Sequence, residues 1–78
     1  ARQTRERLPE PLTQRELGVL EGLARGLSYA ELAAAHHLSY HTINSHVKAI
    51  YRKLAVGSRN QAVYKAVHAG LLRLHDDD

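Results

Sequence analysis

The sequence predicts an all-α fold, a compact four-helix bundle with a helix-turn-helix at helices two and three. No segment shows the alternation of apolar and polar residues that marks a strand. Four Ser or Thr residues each precede a segment with helical apolar spacing; they are Thr13, Ser28, Ser39 and Ser58. Only about three residues, 37–39, separate the second helical segment from the third, and this tight joint is typical of a helix-turn-helix.

The composition is that of one small domain. Of the 78 residues, 44% are apolar and four are aromatic, all Tyr. The absence of Cys excludes disulfides, thiolate metal sites and thiol chemistry. No apolar run approaches the roughly 20 residues of a membrane span, and we expect neither a signal peptide nor a large enzyme pocket.

The two ends of the chain differ from its middle. Residues 1–11 are polar, contain both Pro residues and lack a periodic apolar face, so we expect a linker or N-terminal arm tethered to a larger protein. Residues 12–73 hold the four helical segments and form the predicted domain. Residues 74–78 include three Asp and are predicted to be an acidic C-terminal tail.

The first two helices have matching start signals. Thr13 with Glu16, and Ser28 with Glu31, have the spacing of a capping box, in which hydroxyl and carboxylate each accept a free backbone N–H. The first helix is expected to end at Gly26 in a left-handed turn. Its predicted apolar stripe consists of Leu17, Leu20, Leu23 and Ala24. The second helix is short, rich in Ala and ends near residue 36.

The third helix is predicted from Ser39 to about Leu54, and the fourth from Ser58 to near Gly70. Gln61 is expected to complete a third capping box. On a helical wheel, the apolar residues of the third helix cluster within roughly 20–40° of one another. This predicted buried stripe consists of Ile43, Val47, Ile50 and Leu54.

Charge is distributed unevenly along the chain. The net charge is +3, yet residues 1–31 hold five Arg and five Glu, whereas residues 32–75 hold six Lys or Arg and no acid. Such a one-signed half favours a polyanionic partner, with nucleic acid first and an anionic membrane surface second. A solvated basic face without a partner is the alternative interpretation.

The face of the third helix opposite its apolar stripe has the character of a DNA-reading surface. It contains no acid and no bulky apolar residue, whereas an ordinary solvent face mixes Glu with Lys. Its outward residues are His41, Ser45, Lys48 and Arg52, with Asn44 beside them. Asn pairs with adenine, Lys with guanine and Ser with either, so Asn44, Ser45 and Lys48 are predicted base contacts. Residues suited to phosphates line one flank: Thr42, His46 and Lys53.

These residues and their order resemble a LuxR-type (GerE-type) DNA-binding domain across about residues 12–72. The resemblance is carried by Leu12-Thr13-Gln14-Arg15-Glu16-Leu17, Leu23-Ala24-Arg25-Gly26-Leu27-Ser28, Glu31-Leu32-Ala33, Thr42-Ile43, His46-Val47, Ile50-Tyr51-Arg52-Lys53-Leu54, Ser58-Arg59 and Gly70-Leu71-Leu72.

The resemblance implies sequence-specific duplex DNA binding in the cytoplasm, as the C-terminal output domain of a bacterial transcription regulator, often a response regulator of a two-component system. It implies a pseudo-palindromic operator, a homodimer through the fourth helix and contact with RNA polymerase. The resemblance implies the same base contacts as the helical wheel, namely Asn44, Ser45 and Lys48. It adds Arg59 to the phosphate contacts Thr42, His46 and Lys53, and His41 and Arg52 complete the set of phosphate contacts. The residues expected to pair two domains are Asn60, Tyr64 and Val67.

Two departures from the family pattern are visible. His36 stands where a large apolar residue is common. It is interpreted either as a neutral histidine packed at the core edge or as a residue that weakens the fold at low pH by becoming charged. Asn44 and Ser45 are shorter or less basic than the residues often found at these reading positions, so we expect a different target sequence.

Other functions have weaker support in the sequence. The six His lack the spacing of a metal site, no carboxylate completes one, and no metal, cofactor or catalytic residue is expected. A sigma-factor region-four-like promoter reader shares the first three helices, but the fourth helix, beginning Ser58-Arg59, argues against it. A protein-interaction module needs an exposed apolar patch, and membrane-surface binding needs large apolar residues beside basic ones. The outward face of the third helix has neither.

Overall fold

The computed structural model describes residues 11–72, and within this range the chain is helical with no strand. The helices are α1 (Gln14–Ala24), α2 (Tyr29–His36), α3 (Tyr40–Leu54) and α4 (Arg59–His68). The predicted all-α fold with a helix-turn-helix at α2 and α3 is therefore confirmed. The predicted tail, and all but the last residue of the predicted arm, lie outside the described residues.

Two capping boxes start α1 and α2 as predicted. The Thr13 hydroxyl accepts the Glu16 N–H at 3.1 Å, and the Glu16 carboxylate accepts the Thr13 N–H at 3.0 Å. The corresponding distances for Ser28 and Glu31 are 3.0 and 2.8 Å. Each box satisfies two backbone donors that the first turn of a helix leaves without an intrahelical partner.

The third predicted capping box forms only in part. The Ser58 hydroxyl accepts the Gln61 N–H at 3.2 Å, as expected. The Gln61 side-chain carbonyl, however, accepts the N–H of Gly57 at 2.8 Å, one residue before the cap. The prediction of a reciprocal box at α4 is therefore wrong, because the amide oxygen of Gln61 closes the loop on Gly57 and not on Ser58.

The helices end in left-handed turns of two kinds. Gly26 after α1 and Gly70 after α4 have φ of +86° and +80°, a conformation that costs glycine little, and the predicted ends at these glycines are confirmed. His37 after α2 and Ala55 after α3 adopt φ of +58° and +60° without glycine's freedom. The left-handed conformation of His37 ends α2 and lets the chain change direction before α3 begins.

The core lies where α1 and α4 pack on α3. Its fully or almost fully buried apolar residues are Val19, Leu20, Leu23, Leu32, Ile43, Val47, Ile50, Leu54, Ala62, Ala66 and Ala69. The predicted stripe of α3 is confirmed. The predicted stripe of α1 is partly wrong, since Ala24 is exposed, Leu17 is half-buried and Val19 is buried. Because α1 contacts both α3 and α4, the side of the helix that carries Val19 is buried and the side that carries Ala24 faces solvent.

Helix α2 packs on α1 through two glycines of α1. A Cβ at Gly22 would overlap the Cδ2 atom of Leu32, the one buried residue of α2. A Cβ at Gly18 would lie 3.1 Å from the Cε1 atom of His36. His36 is half-buried against α1, in agreement with the interpretation of a histidine at the core edge. The two glycines thus leave room for Leu32 and His36 beside α1, while α2 also packs on α3.

Candidate nucleic-acid interface

Helix α3 presents an exposed polar face opposite its buried stripe. We call the exposed residues of this row the outer face of α3; they are His41, Ser45, Lys48 and Arg52. No acidic residue lies on α3. The packing of the apolar stripe into the core directs the opposite row toward solvent, so the sequence pattern and the tertiary structure agree on which surface is accessible.

The predicted base contacts differ in exposure. Ser45 and Lys48 are exposed, whereas Asn44 is half-buried on the side of α3 that faces α2. Lys48 lies one helical turn after both Asn44 and Ser45, so the three side chains form one short surface near the helix N-terminus. A recognition helix contacts bases through this part of its surface.

The flank of α3 toward α1 is partly engaged within the protein. Thr42, His46 and Lys53 are all half-buried there. The Thr42 hydroxyl oxygen accepts a hydrogen bond from the Ser39 hydroxyl at 2.9 Å, while the Ser39 oxygen accepts the Thr42 N–H at 3.0 Å. These contacts hold the first turn of α3 and orient the Thr42 side chain.

Lys53 occupies an internal position. Its Nζ atom lies 2.8 Å from Oε1 of Glu16, with side-chain exposures of 11% and 8%, and donates a second hydrogen bond to the carbonyl of Pro11 at 3.2 Å. These contacts direct two of the three ammonium donors into the protein, and one donor is left for the predicted phosphate contact. Lys53 ties the end of α3 to the start of α1.

The surroundings of the Glu16 carboxyl change its acidity. Burial alone raises its pKa, but hydrogen bonds from Lys53 and the Thr13 N–H, with the positive charges of Lys53 and His46, outweigh burial. The pKa of Glu16 therefore lies below its usual value, and the carboxylate remains ionised beside Lys53. The sequence pattern identified Glu16 only as a capping residue.

Two arginines bind the ends of neighbouring helices. Arg59 Nη1 donates to the carbonyl of Leu23 at 3.2 Å, and Arg15 Nη1 donates to the carbonyl of His36 at 3.2 Å. Carbonyls in the last turn of a helix lack intrahelical donors and carry partial negative charge, so both contacts are favourable. A guanidinium has five N–H donors, and the Leu23 contact uses one donor of Arg59.

Comparison with known families identifies this arrangement. Residues 10–66 match the GerE family model, described as bacterial regulatory proteins, luxR family. The chain belongs to the luxR family. This luxR-family chain thus carries the helix-turn-helix domain of DNA-binding transcription regulation, in a family of regulators that are generally not enzymes.

Relatives of this luxR-family chain are response regulators. The response regulator proteins VraR of Staphylococcus aureus and Staphylococcus saprophyticus are each 41% identical over 69 residues, which is 88% of this chain and 33% of the relative. A crystal structure of the response regulator ChrA, from a heme-sensing two-component system, matches with a TM-score of 0.78 and 35% identity over 87% of this chain and 33% of that chain. The chain thus spans a third of these relatives' length.

The luxR-family domain has a second prominent surface on α4. Ala62 and Ala66 are buried, while Asn60 and Tyr64 are exposed and Val67 is half-buried. Tyr64 is 67% exposed, and its ring centroid lies 4.2 Å from that of His68, one turn further along. We call the row formed by Asn60, Tyr64 and Val67 the Tyr64 ridge of α4. Shallow grooves border this ridge on both sides, one toward α1 and one toward the loop after α3.

Three tyrosines lie together where α2 meets α3, and the sequence pattern did not reveal this grouping. The Tyr29 and Tyr40 ring centroids are 5.6 Å apart, with the ring planes tilted by 50°. Burial, with the adjacent Tyr29 hydroxyl in hydrogen-bonding contact, raises the pKa of the Tyr51 phenol. Tyr29 and Tyr51 are half-buried against the core, whereas Tyr40 is exposed.

Residues 11–72 lack two further features. No cluster of three or more His, Asp or Glu side chains has the geometry to hold a metal ion within that range. In the same part of the chain, no helix has both the length and the apolar character needed to cross a membrane.

Proposed function

We propose that this domain binds duplex DNA sequence-specifically, with α3 in the major groove, as the output domain of a response regulator. The observation that supports this proposal best is the outer face of α3, an exposed row without acid on the helix that follows the helix-turn-helix turn. A recognition helix needs such a face, because it approaches a polyanion and must present hydrogen-bonding groups to the edges of bases.

Asn44, Ser45 and Lys48 are the base-reading residues in this proposal. The Lys48 ammonium donates to guanine O6 or N7, the Asn44 amide pairs with adenine, and the Ser45 hydroxyl bonds either base. Asn44 is half-buried toward α2, so its reach is shorter than that of Lys48. We therefore expect Lys48 to contribute most to discrimination among sequences.

We propose a smaller set of phosphate contacts than the sequence pattern alone indicates. We retain Thr42, His46 and Arg59, with His41 and Arg52 from the outer face of α3, as groups that position the domain on the backbone. We assign Lys53 to the positioning of α3, because its ammonium is bonded to Glu16 and Pro11.

The complete regulator is proposed by analogy with relatives three times as long as this chain. It would carry a phosphorylated receiver domain on the N-terminal side, act on the nucleoid in the cytoplasm and contact RNA polymerase. Asn60, Tyr64 and Val67 on α4 would pair two copies on DNA. Two-fold pairing leads to a pseudo-palindromic operator with half-sites about one helical turn apart.

The experiment that tests this function is selection of bound duplexes from a random DNA pool at near-physiological salt, using the 78-residue chain. We expect enrichment of a common half-site, with pairs of half-sites as inverted repeats at one spacing. Recovery of sequences no different from the input would contradict sequence-specific reading, since a purely electrostatic binder enriches nothing.

Lys48→Ala tests the main base contact. We expect a loss of about 1–3 kcal/mol on the selected site and relaxed preference at one base pair, because a base-edge contact disappears. Lys65→Ala is the matched control, since it removes the same charge from α4. We expect this control to weaken all sequences slightly and equally, as measured by fluorescence anisotropy on matched and mutated duplexes. Equal weakening of all sequences by Lys48→Ala would assign Lys48 to a phosphate.

A further inference from the structure

Tyr40 is an exposed aromatic residue that the proposed base and phosphate contacts do not use. Over residues 11–72, Tyr40 at 60% and Tyr64 at 67% are the large apolar side chains that stay exposed. Tyr64 belongs to the ridge of α4 proposed to pair two copies. Tyr40 is the first residue of α3 and precedes His41 of the outer face.

One side of the Tyr40 ring packs against the ring of Tyr29, which is itself half-buried. Tyr29 is the first residue of α2, and the two ring centroids are 5.6 Å apart. Tyr29 packs against the core, and its hydroxyl contacts that of Tyr51 on α3. Tyr40 therefore has a restricted position although most of its surface faces water, and little side-chain entropy remains to be lost on binding.

The charges around Tyr40 favour an anionic ligand. α3 carries no acid, and His41 lies exposed at the next position. The acid nearest along α2 is Glu31, two residues after Tyr29 and thus on another side of that helix. One Glu31 oxygen accepts the Ser28 N–H at 2.8 Å. Both Tyr29 and Tyr40 also stand in the first turn of a helix, where the backbone N–H groups give partial positive charge.

We propose that the Tyr40 hydroxyl donates a hydrogen bond to a DNA backbone phosphate at the edge of the groove that α3 enters, with Tyr29 as its positioning residue. This inference rests on the proposed function. In a helix-turn-helix the first helix crosses the DNA backbone while the second enters the major groove. Tyr40 lies on the side of α3 that carries the contact with Tyr29 of α2, away from Ser45 and Lys48, and this position favours a contact with backbone over one with base edges. Tyr is among the side chains that bond phosphates in this way.

Tyr40→Phe on the selected operator tests the hydroxyl without removing the ring. We expect the Kd to rise about tenfold, because a hydrogen bond to a charged acceptor is lost. The dependence of log Kd on log salt should keep its slope, since a neutral donor releases no counterion. Gln14→Ala is the control: it is an exposed neutral residue that begins α1 as Tyr40 begins α3, and it should leave the Kd unchanged.

Duplexes with single methylphosphonate substitutions locate the contact. At one phosphate per half-site, removal of the charge should weaken the wild-type chain but weaken Tyr40→Phe no further. Equal Kd values for wild type and Tyr40→Phe at every position would overturn the inference while leaving the Lys48→Ala result intact. If selection enriches no sequence and Lys48→Ala weakens all duplexes equally, the proposed function fails and the Tyr40 contact is overturned with it.

Discussion

Lys53 and Glu16 are 37 residues apart in the chain, and their contact determines the role of each side chain. The basic stretch of the sequence predicts a phosphate contact for Lys53, and the capping pattern predicts a local role for Glu16. In the folded chain, the Lys53 ammonium neutralises a buried carboxylate, which would otherwise be costly to keep ionised. Lys53 also donates to the carbonyl of Pro11 and thereby holds the start of the described chain against α3.

Glu16→Gln should destabilise the domain in a pH-dependent manner. At pH 7 we expect the free energy of unfolding to fall by about 3 kcal/mol, the low end for breaking a buried ion pair. The folded-state pKa of Glu16 lies below its ordinary value of 4.5, so the pair contributes fully above pH 4.5 and its contribution is lost as the pH falls through the folded-state pKa. The difference between wild type and variant should therefore shrink at pH 3, as measured by urea unfolding followed by circular dichroism.

Glu31→Gln is the matched control for this prediction. Glu31 also completes a capping box, but its side chain is exposed. Glu16 forms an ion pair with Lys53, whereas within residues 11–72 Glu31 has no such cationic partner. We expect this control to lower the free energy of unfolding by less than about 1 kcal/mol. A loss equal to that of Glu16→Gln would show that the cap, and not Lys53, accounts for the effect.

The helix ends show how far local sequence rules extend. The sequence predicts a Ser or Thr cap at each of the four helix starts, and the structure confirms all four, because capping depends on residues three positions apart. The turns after α1 and α4 contain glycine, the residue best suited to positive φ, and were recognised as ends. His37 and Ala55 adopt the same region without a local preference for it. Their conformation is imposed by the packing of α2, α3 and α4 around the core.

Ala55→Gly should stabilise the domain. Ala55 is exposed at φ +60° and ψ +47°, where an L side chain is strained and glycine is not. We expect a gain of about 0.5–1 kcal/mol, or roughly 4 °C in Tm for a domain of this size. Ala34→Gly, within α2, should lower stability by about 1 kcal/mol. A loss of stability in Ala55→Gly on thermal unfolding would contradict the strain assigned to this turn.

The whole molecule presents two separate surfaces on one core. The outer face of α3 and the Tyr64 ridge of α4 both result from the burial of apolar stripes in the same cluster. The packing of α3 on α4 therefore fixes the orientation of α3 relative to any partner bound through α4. This arrangement suits the proposed pairing of two copies on one operator.

Tyr64→Ala should separate pairing from reading. We expect it to reduce cooperativity on a duplex with two half-sites about tenfold, because an exposed aromatic anchor is lost from the pairing surface. Binding to a duplex with one half-site should keep the wild-type Kd. Titration of both duplexes by anisotropy measures the two effects separately. Loss of affinity for the single half-site would contradict the assignment of Tyr64 to pairing.

Local residue patterns suffice to establish the helical class, the four helix starts, the buried stripe of α3 and its acid-free outer face. These features depend on spacing within one helix, where three or four residues bring side chains onto one face. The sequence also sufficed to place the chain in the luxR family, which the match over residues 10–66 confirms.

The features that join distant segments are visible in the folded chain alone. Lys53 pairs with Glu16, and Arg59 donates to a carbonyl at the end of α1. Val19 is buried in the core whereas Ala24 is exposed, and the Tyr40 ring packs against the Tyr29 ring. None of these contacts has a local signal, since each depends on how helices rotate and approach one another. Packing fixes that geometry, because a core of this density tolerates few arrangements of its side chains.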